Sequence, residues 1–380
     1  MYSLHDYGSM IADGGRFSAY AKAIASAVRP GDAVVEIGCG PGVFAFLACR
    51  AGARRVYAIE SDDIVQFARQ LAAANGLADG IEFFQSDSRK TELPERVNVI
   101  VSDIRGALPF CGSAIPSIED ARQRFLVPGG ILIPQRDMLK AAVIEAQEYY
   151  EGLTAPWQKA VDGLDLSSSL SLILNGHYAV SCKPEQVFTE PLTWHVLDYT
   201  VGPATRAAAA LRFRVARTGT AHGLCVWFET QLLGDIGYSA GPGGSATIYS
   251  QMFLPWLAPV TVAEGQEIQV ELRADLIGRD YVWSWNTTIF ARDAAPPICF
   301  QQSTFQSANF SPRYLRCHAV DFVPALSEES QADLWLLQAM DGSASLQKIA
   351  QLASERFPHL FSSWREAFGR AADLSRDFSR

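Results

Sequence analysis

Short apolar runs alternate with segments of helical periodicity over the first third of the chain. The runs are rich in β-branched residues and predict buried strands over residues 33–37, 55–59, 81–85, 97–102 and 130–133. Residues 1–30, and residues 64–75 between the second and third run, carry apolar positions at helical spacing instead. This alternation is typical of a parallel doubly wound sheet, so we predict an α/β Rossmann-like domain over 31–137, preceded by helices over 1–30.

The pattern changes at about residue 138. Strands with period-two alternation now follow one another through turns that contain Gly or Pro, which indicates an antiparallel β-barrel or sandwich over 138–292. A mostly helical segment interrupts it at about 148–174. Residues 293–326 are rich in Pro, Ser and Gln and are predicted to be a linker, and residues 327–380 form a small C-terminal helical module.

Composition excludes several classes of protein. A chain of 380 residues exceeds one usual hydrophobic core, and its net charge of −9 argues against a nucleic-acid binder. The seven cysteines are odd in number and scattered, which argues against a disulfide framework and a structural metal site and favours a cytoplasmic protein. No apolar run is long enough to span a bilayer, so no membrane association is expected.

The richest chemical signal is the stretch VVEIGCGPG, from Val34 to Gly42. An apolar strand runs there into a glycine-rich turn and a helix, which is where open α/β folds bind nucleotides. A dinucleotide fingerprint requires Gly or Ala at the sixth position of the turn, where this chain has Val43. The second strand ends on Glu60, an acid placed to accept ribose hydroxyls. A purely structural turn with a solvated Glu60 is the alternative.

The pattern E-x-G-x-G-x-G resembles motif I of class I methyltransferases, whose cofactor is S-adenosylmethionine. The order of parts over residues 1–290 resembles the protein arginine methyltransferase family. The segment YSLHDYGSMIADGGRFSAY is similar to that family's cofactor-covering helices, which end in an arginine. The resemblance implies that Arg16 holds the methionyl carboxylate and that Tyr7 and Met10 cover the reactive methyl group.

The same resemblance assigns the rest of the cofactor site. Glu60 and Ser61 follow the second strand at the ribose, and Asp87 and Ser88 follow the third strand at the adenine. The motif residues complete the set: Glu36, Gly38, Gly40 and Gly42.

The chain departs from the family at the acceptor loop, VSDIRGALPFCGSAIPS. Two glutamates clamp the substrate guanidinium in the family. The first matches Asp103 and the second matches Gly112, which has no side chain. The family's Thr-His-Trp element corresponds to Thr247-Ile248-Tyr249, without the histidine. A guanidinium stays protonated and needs carboxylates around its planar fork. The resemblance therefore implies the cofactor more strongly than it implies arginine as the acceptor.

Three hypotheses remain open. The first is a methyltransferase acting on a non-arginine acceptor, a peptide or small-molecule amine or hydroxyl, with Asp103 orienting the acceptor or taking its proton and Tyr249 lining the pocket. The second is an arginine methyltransferase whose second carboxylate is Glu119 or Asp120. The third is a cofactor-binding scaffold without turnover that binds a partner. The helical segment 148–174 matches the family's dimerisation arm, which implies a homodimer.

Overall fold

The computed structural model describes residues 2–159, 161–202, 204–244, 247–292, 295–308 and 311–378. It divides into two compact units, residues 1–309 and residues 310–380. The α-helices of the first unit are α1 Leu4–Ala12, α2 Gly14–Ala27, α3 Val43–Arg50, α4 Ile64–Ala74, α5 Ala114–Phe125, α6 Gln147–Gln158, α7 Leu170–Ile173 and α8 Thr304–Ser307. Those of the second unit are α9 Pro312–Cys317, α10 Glu328–Ala339, α11 Leu346–Arg356 and α12 Trp364–Phe378.

The first five strands form a parallel sheet in the order β3-β2-β1-β4-β5. They are β1 Ala33–Ile37, β2 Arg55–Glu60, β3 Ile81–Gln85, β4 Val97–Ser102 and β5 Leu126–Ile133. Every residue of β1 is buried, because this central strand is covered on both faces. The order reverses between β1 and β4, which places a crevice at the carboxyl ends of these two strands. The predicted Rossmann-like sheet is confirmed.

The remaining strands form two antiparallel sheets. They are β6 Arg136–Ile144, β7 Tyr178–Val180, β8 Leu192–Asp198, β9 Arg206–Arg214, β10 Gly219–Leu233, β11 Ile236–Ser239, β12 Gln251–Val262, β13 Glu267–Ile277, β14 Asp280–Ile289 and β15 Ile298–Phe300. One sheet has the order β7-β12-β10-β6-β8, with β11 paired to β10, and the other has the order β15-β14-β13-β9. The antiparallel domain begins at Arg136, directly after β5. One hydrophobic core continues from the parallel sheet, where it includes Ile37, into the antiparallel sheets, where it includes Trp256 and Trp285.

The predicted linker over residues 293–326 is wrong for its middle part. Ile298–Phe300 forms β15, which pairs with β14, and the buried Gln302 donates its side-chain amide to the carbonyl oxygens of Leu174 and Pro255. The strand was missed because Ile298–Phe300 has only three residues and is flanked by Pro296, Pro297, Gln301 and Gln302, which are typical of a loop.

The C-terminal helices have their own core. It contains Leu336 from α10, Ile349 and Ala353 from α11, and Ala367 and Leu374 from α12. The predicted helical module is confirmed, although the compact unit begins at residue 310 rather than 327. Within the described residues, each helix is too short or too polar to cross a membrane.

Candidate active site

A cavity of about 1030 Å³ lies at the carboxyl ends of β1, β2 and β4. Most residues that the sequence assigned to the site line this one cavity: Tyr7, Met10, Arg16, Glu36, Gly38, Gly40, Glu60, Ser61, Asp87, Ser88, Asp103 and Tyr249. Gly42 lies outside the cavity wall. It has φ 82° and precedes α3, so it shapes the start of the helix.

The glycine turn forms the floor of the cavity. Gly38 and Gly40 have φ values of 69° and 51°, which L-residues with side chains rarely adopt. A Cβ atom on Gly38 would lie 2.2 Å from Cγ2 of Ile104, and one on Gly40 would lie 2.8 Å from the ring of Tyr7. The turn therefore needs glycine both for its backbone conformation and for the close approach of neighbouring side chains.

Two acidic side chains accept hydrogen bonds from the backbone at this turn and at the start of the helix that follows it. Glu60 accepts hydrogen bonds from the backbone N–H of Gly40 at 2.9 Å and of Asp62 at 3.0 Å. Glu36 is buried and accepts one from the N–H of Ala45 at 2.7 Å, at the start of α3. Burial raises the pKa of Glu36 well above its ordinary value, against the opposing effect of the Ala45 N–H.

Asp87 and Ser88 lie where β3 leads into the cavity. The Asp87 carboxylate forms a two-point ion pair with Arg89, whose Nη2 lies 2.7 Å from Oδ2. The hydrogen bonds from Arg89 lower the pKa of Asp87. Ser88 is buried in the wall. Asp87 is therefore an ionised acid with a neighbouring cation, an arrangement that the sequence analysis missed.

Helix α1 covers one side of the cavity without burying any of its own residues. Tyr7 projects its ring onto Gly40, and burial raises the pKa of its hydroxyl to about 12. The carbonyl oxygen of Met10 accepts a hydrogen bond of 2.9 Å from Nη1 of Arg16. The predicted covering helix thus lies over the turn.

Asp103 lies at the end of β4, where both of its carboxylate oxygens are occupied. Oδ2 accepts hydrogen bonds from Nε and Nη2 of Arg16, both at 2.5 Å. Oδ1 accepts them from Nη2 of Arg105 at 3.0 Å and from the Tyr249 hydroxyl at 2.7 Å. Burial alone would raise the pKa of Asp103, but the charges of Arg105 and Arg16 and the Tyr249 hydrogen bond together lower it. Asp103 is an ionised, fully bonded carboxylate and a poor proton acceptor.

Arg105 is a site residue that the sequence analysis missed. Its side chain is 1% exposed and donates to Asp137 Oδ1 at 2.6 Å, Thr230 Oγ1 at 2.9 Å and the Tyr20 hydroxyl at 2.7 Å. Nη2 also lies 3.0 Å from the Tyr238 hydroxyl. The one signal in the sequence was a basic residue two positions after Asp103 in an otherwise apolar loop.

A hydrogen bond joins the N-terminal helices to the irregular segment before β12 that carries Tyr249. Asp13 lies between α1 and α2, and its Oδ1 accepts the N–H of Arg16 at 3.1 Å. Its Oδ2 accepts the N–H of Ile248 at 2.8 Å. This one side chain therefore positions the cofactor side and the acceptor side of the cavity together.

The carboxylates considered as replacements for the missing glutamate lie elsewhere. Glu119 pairs with Arg122 and Asp120 pairs with Arg124, both along α5, and neither lines the cavity. Gly112 does line it, and a Cβ atom there would meet no atom within 4 Å. The position of the second clamp residue is therefore open space.

The cavity fits S-adenosylmethionine by three tests. First, the glycine turn lets a ligand come close to the backbone, because Gly38 and Gly40 have no side chains. A Cβ atom on Gly38 would collide with Ile104, and one on Gly40 would collide with Tyr7. Second, Glu60 lies at the end of β2. Each of its carboxylate oxygens accepts one backbone N–H, which leaves further lone pairs for ribose hydroxyls. Arg16 has one further N–H on each terminal nitrogen for a carboxylate.

Comparisons with known proteins agree with this geometry. Residues 135–281 match the family model described as arginine methyltransferase oligomerization subdomain, and residues 20–150 match that of ribosomal protein L11 methyltransferase (PrmA). The chain is 30% identical to protein arginine N-methyltransferase 6 of Xenopus laevis over 290 residues, which is 73% of this chain and 82% of that protein. The chain belongs to the protein arginine N-methyltransferase family. A probable protein arginine N-methyltransferase 6 of Arabidopsis thaliana is also 30% identical, over 59% of this chain and 54% of that protein.

Solved structures of this family share the fold. Arabidopsis thaliana protein arginine methyltransferase 10 superposes with a TM-score of 0.70 at 22% identity, covering 79% of this chain and 97% of that one. The Trypanosoma brucei PRMT1 enzyme–prozyme heterotetrameric complex with AdoHcy gives 0.71 at 19% identity, covering 80% and 98%. The predicted family, fold and methyltransferase class are confirmed. The roles of individual site residues stay predictions.

Proposed function

We propose that this chain transfers a methyl group from S-adenosylmethionine to an acceptor that is not a guanidinium group. The observation that carries the proposal is the state of Asp103, whose two oxygens are held by Arg16, Arg105 and Tyr249. A guanidinium substrate would have to displace these donors to reach the carboxylate.

None of the three positions considered for the second half of a guanidinium clamp supplies a free carboxylate. Gly112 has no side chain, and Glu119 and Asp120 are engaged along α5. A guanidinium group between Asp103 and Gly112 would then meet one carboxylate already bonded to Arg16 and Arg105, and no side chain at position 112. The geometry favours an acceptor that does not bring its own positive charge.

The cofactor supplies a methyl group on a sulfonium, which a nucleophile displaces in line. Arg16 would hold its carboxylate, Glu60 its ribose hydroxyls, and the turn of Gly38 and Gly40 would let it approach the backbone. Tyr7 and Met10 would exclude water from the methyl group. Asp103 would act through Arg16 and Tyr249 by fixing their positions, not as a base.

Family membership favours a second candidate, because the relatives described above are named arginine methyltransferases. In that case Arg105 would have to release Asp103 when the substrate enters. We give this candidate second place because Arg105 is also bonded to Asp137, Thr230 and Tyr20. Each of these bonds would be lost or strained by the movement.

Two measurements test the proposal. Calorimetry should show that the protein binds S-adenosylmethionine but not NAD, and that Glu60→Ala weakens this binding. Mass spectrometry of a peptide mixture incubated with protein and cofactor should show methylation at residues other than arginine. Methylarginine as the main product would refute the choice of acceptor, and no cofactor binding would refute the methyltransferase reading.

We further propose that the protein is a homodimer in the cytoplasm. The family model that covers residues 135–281 is described as an oligomerization subdomain. The helical segment 148–174 leaves Val161 and Leu164 more than half exposed. All seven cysteines are free thiols, which suits a reducing compartment.

A further inference from the structure

We infer that Arg105 occupies the place of a substrate guanidinium and is the residue that keeps guanidinium acceptors out of this cavity. The inference rests on the proposed function and names the residue that determines its acceptor class. Arg105 lines the cavity, yet its side chain is only 1% exposed. The contacts that its guanidinium group makes lead to the inference.

The two oxygens of Asp103 are bonded to different parts of the cavity. Oδ2 accepts hydrogen bonds from Arg16, the residue expected to hold the carboxylate of the cofactor. Oδ1 accepts one from the hydroxyl of Tyr249, which is expected to line the acceptor pocket. Arg105 donates to the same Oδ1, from Nη2 at 3.0 Å and from Nε at 3.3 Å. The guanidinium of Arg105 is therefore bonded to Asp103 on the side expected for the acceptor.

Polar groups surround the rest of this guanidinium. Nη1 donates to Asp137 Oδ1 at 2.6 Å and to Thr230 Oγ1 at 2.9 Å. Nη2 donates to the hydroxyls of Tyr20 at 2.7 Å and Tyr238 at 3.0 Å. A guanidinium has five N–H donors in a fixed plane, and each of its three nitrogens has an acceptor here. The surrounding residues thus provide the acceptors that a guanidinium ligand requires.

Two aromatic rings complete the site. The central carbon of the Arg105 guanidinium, Cζ, lies 5.0 Å from the ring centroid of Phe228 and 5.9 Å from that of Tyr238. Aromatic faces attract cations, most strongly where water is excluded. Carboxylates and aromatic rings around a planar cation are the groups that bind a guanidinium in proteins. In this chain they enclose an arginine of the chain itself.

The rest of the cavity wall would not by itself repel a cation. Among the described residues that line it, the acidic ones are Asp6, Glu36, Glu60, Asp62, Asp87 and Asp103, and the basic ones are Arg16 and Arg105. A wall in which acids outnumber arginines attracts cations. Arg105 excludes a guanidinium because it already fills the place, and a second guanidinium there would bring two like charges into contact. Exclusion therefore depends on one side chain, and removing that side chain should open the site.

A matched pair of ligands tests this expectation. Full-length Arg105→Ala and wild-type protein, both saturated with S-adenosylhomocysteine, are titrated by calorimetry with acetyl-arginine amide and with acetyl-citrulline amide. Citrulline has nearly the same shape as arginine but no charge. We expect Arg105→Ala to bind the arginine compound about tenfold more tightly than the citrulline compound, because hydrogen bonds to a charged group are the stronger ones. The wild type should show no such preference.

The stability of the variant gives a second readout. Arg105→Ala leaves the buried Asp137 carboxylate with the Tyr199 hydroxyl but without its guanidinium partner. Guanidinium chloride at about 10 mM, far below denaturing concentrations, should fill the space and raise the unfolding temperature by about 2 °C over an equal concentration of sodium chloride. Arg206→Ala is the control, since it removes an exposed partner of Asp275 and should show no such rise.

A second variant covers the case in which Arg105→Ala does not fold. Arg105→Ala/Asp137→Asn removes both charges of the buried pair, which proteins tolerate better than the loss of one partner. Asp103 is retained, so the double variant can be titrated with the same two ligands. We expect the same preference for arginine over citrulline.

Each other outcome overturns a defined statement. A folded variant that binds both ligands equally overturns the inference and leaves the proposed function standing. A rise in unfolding temperature without a preference for arginine means that Arg105 serves stability alone, and this also overturns the inference. A wild type that prefers arginine over citrulline shows that Arg105 does not exclude guanidinium groups. Methylarginine as the main product of the wild type overturns the proposed function and this inference with it.

Discussion

Arg105 and Asp137 form an ion pair of 2.6 Å that joins the loop after β4 of the parallel sheet to β6 of the antiparallel sheet. The two side chains are 1% and 0% exposed. The other oxygen of Asp137 accepts a hydrogen bond of 2.7 Å from the Tyr199 hydroxyl. Because Arg105 also contacts Asp103, the same guanidinium connects the junction of the sheets to the site.

Removing one charge of this pair should destabilise the protein strongly. Asp137→Asn leaves the Arg105 guanidinium buried with one carboxylate fewer, which costs about 3 to 5 kcal/mol in comparable buried pairs. The control is Asp275→Asn, which breaks the exposed pair with Arg206 and should cost less than about 1 kcal/mol. Urea unfolding of both variants measures the difference, and equal losses would show that Arg105 does not depend on Asp137.

The buried Glu36 should make stability depend on pH. Its pKa is raised in the folded protein, so its contribution is fully present below its ordinary value of 4.5 and is lost as pH rises through the folded-state pKa. Glu36→Gln does not titrate, and its side-chain oxygen can still accept the Ala45 N–H. We therefore expect the variant to gain stability over the wild type as pH rises from about 4.5 towards 8.

Urea unfolding of the cofactor-free proteins at several pH values in this range tests the prediction. A difference between variant and wild type that stays constant with pH would mean that Glu36 ionises at the same pH in the folded and unfolded chains.

The glycine turn should tolerate a methyl group poorly at Gly38. Gly38→Ala places Cβ 2.2 Å from Ile104 and keeps φ 69°, whereas Gly31→Ala meets no atom within 4 Å at φ 93°. Gly31→Ala should cost roughly 1 to 2 kcal/mol for its backbone conformation alone. Gly38→Ala should cost about 1 kcal/mol more, since Ile104 must move. It should also weaken cofactor binding in calorimetry, which Gly31→Ala should leave unchanged.

The local chemistry of the chain explains which parts of the fold were predictable. Apolar runs such as Val34–Ile37 are typical of strands buried on both faces of a parallel sheet, and positive φ at Gly38 and Gly40 follows from the motif. The strand Ile298–Phe300 was missed because its three residues are too few to show a period-two pattern and are stabilised by pairing with β14.

The sequence identified most residues of the site but not the contacts that their side chains make with one another. Asp103 and Arg16 were identified, yet they are 87 positions apart, and their contact depends on how α2 packs against β4. Asp87 and Arg89 are two positions apart in the sequence, but only the side-chain conformation shows that they pair. The occupation of both Asp103 oxygens by Arg16, Arg105 and Tyr249 is therefore a property of the fold and could not be inferred from spacing.

The helical segment 148–174 should hold the proposed homodimer together. Leu164 is 63% exposed, and Val161 near it is 52% exposed, as expected of an apolar surface that a second subunit covers. Leu164→Asp should turn the dimer into a monomer in size-exclusion chromatography with light scattering, because a buried unpaired carboxylate opposes association. Ile277→Asp is the control, since Ile277 is 62% exposed at the end of β13 and the substitution should leave the dimer intact. A wild-type protein that is already monomeric at micromolar concentration would contradict the homodimer, and a dimer that survives Leu164→Asp would place the interface elsewhere.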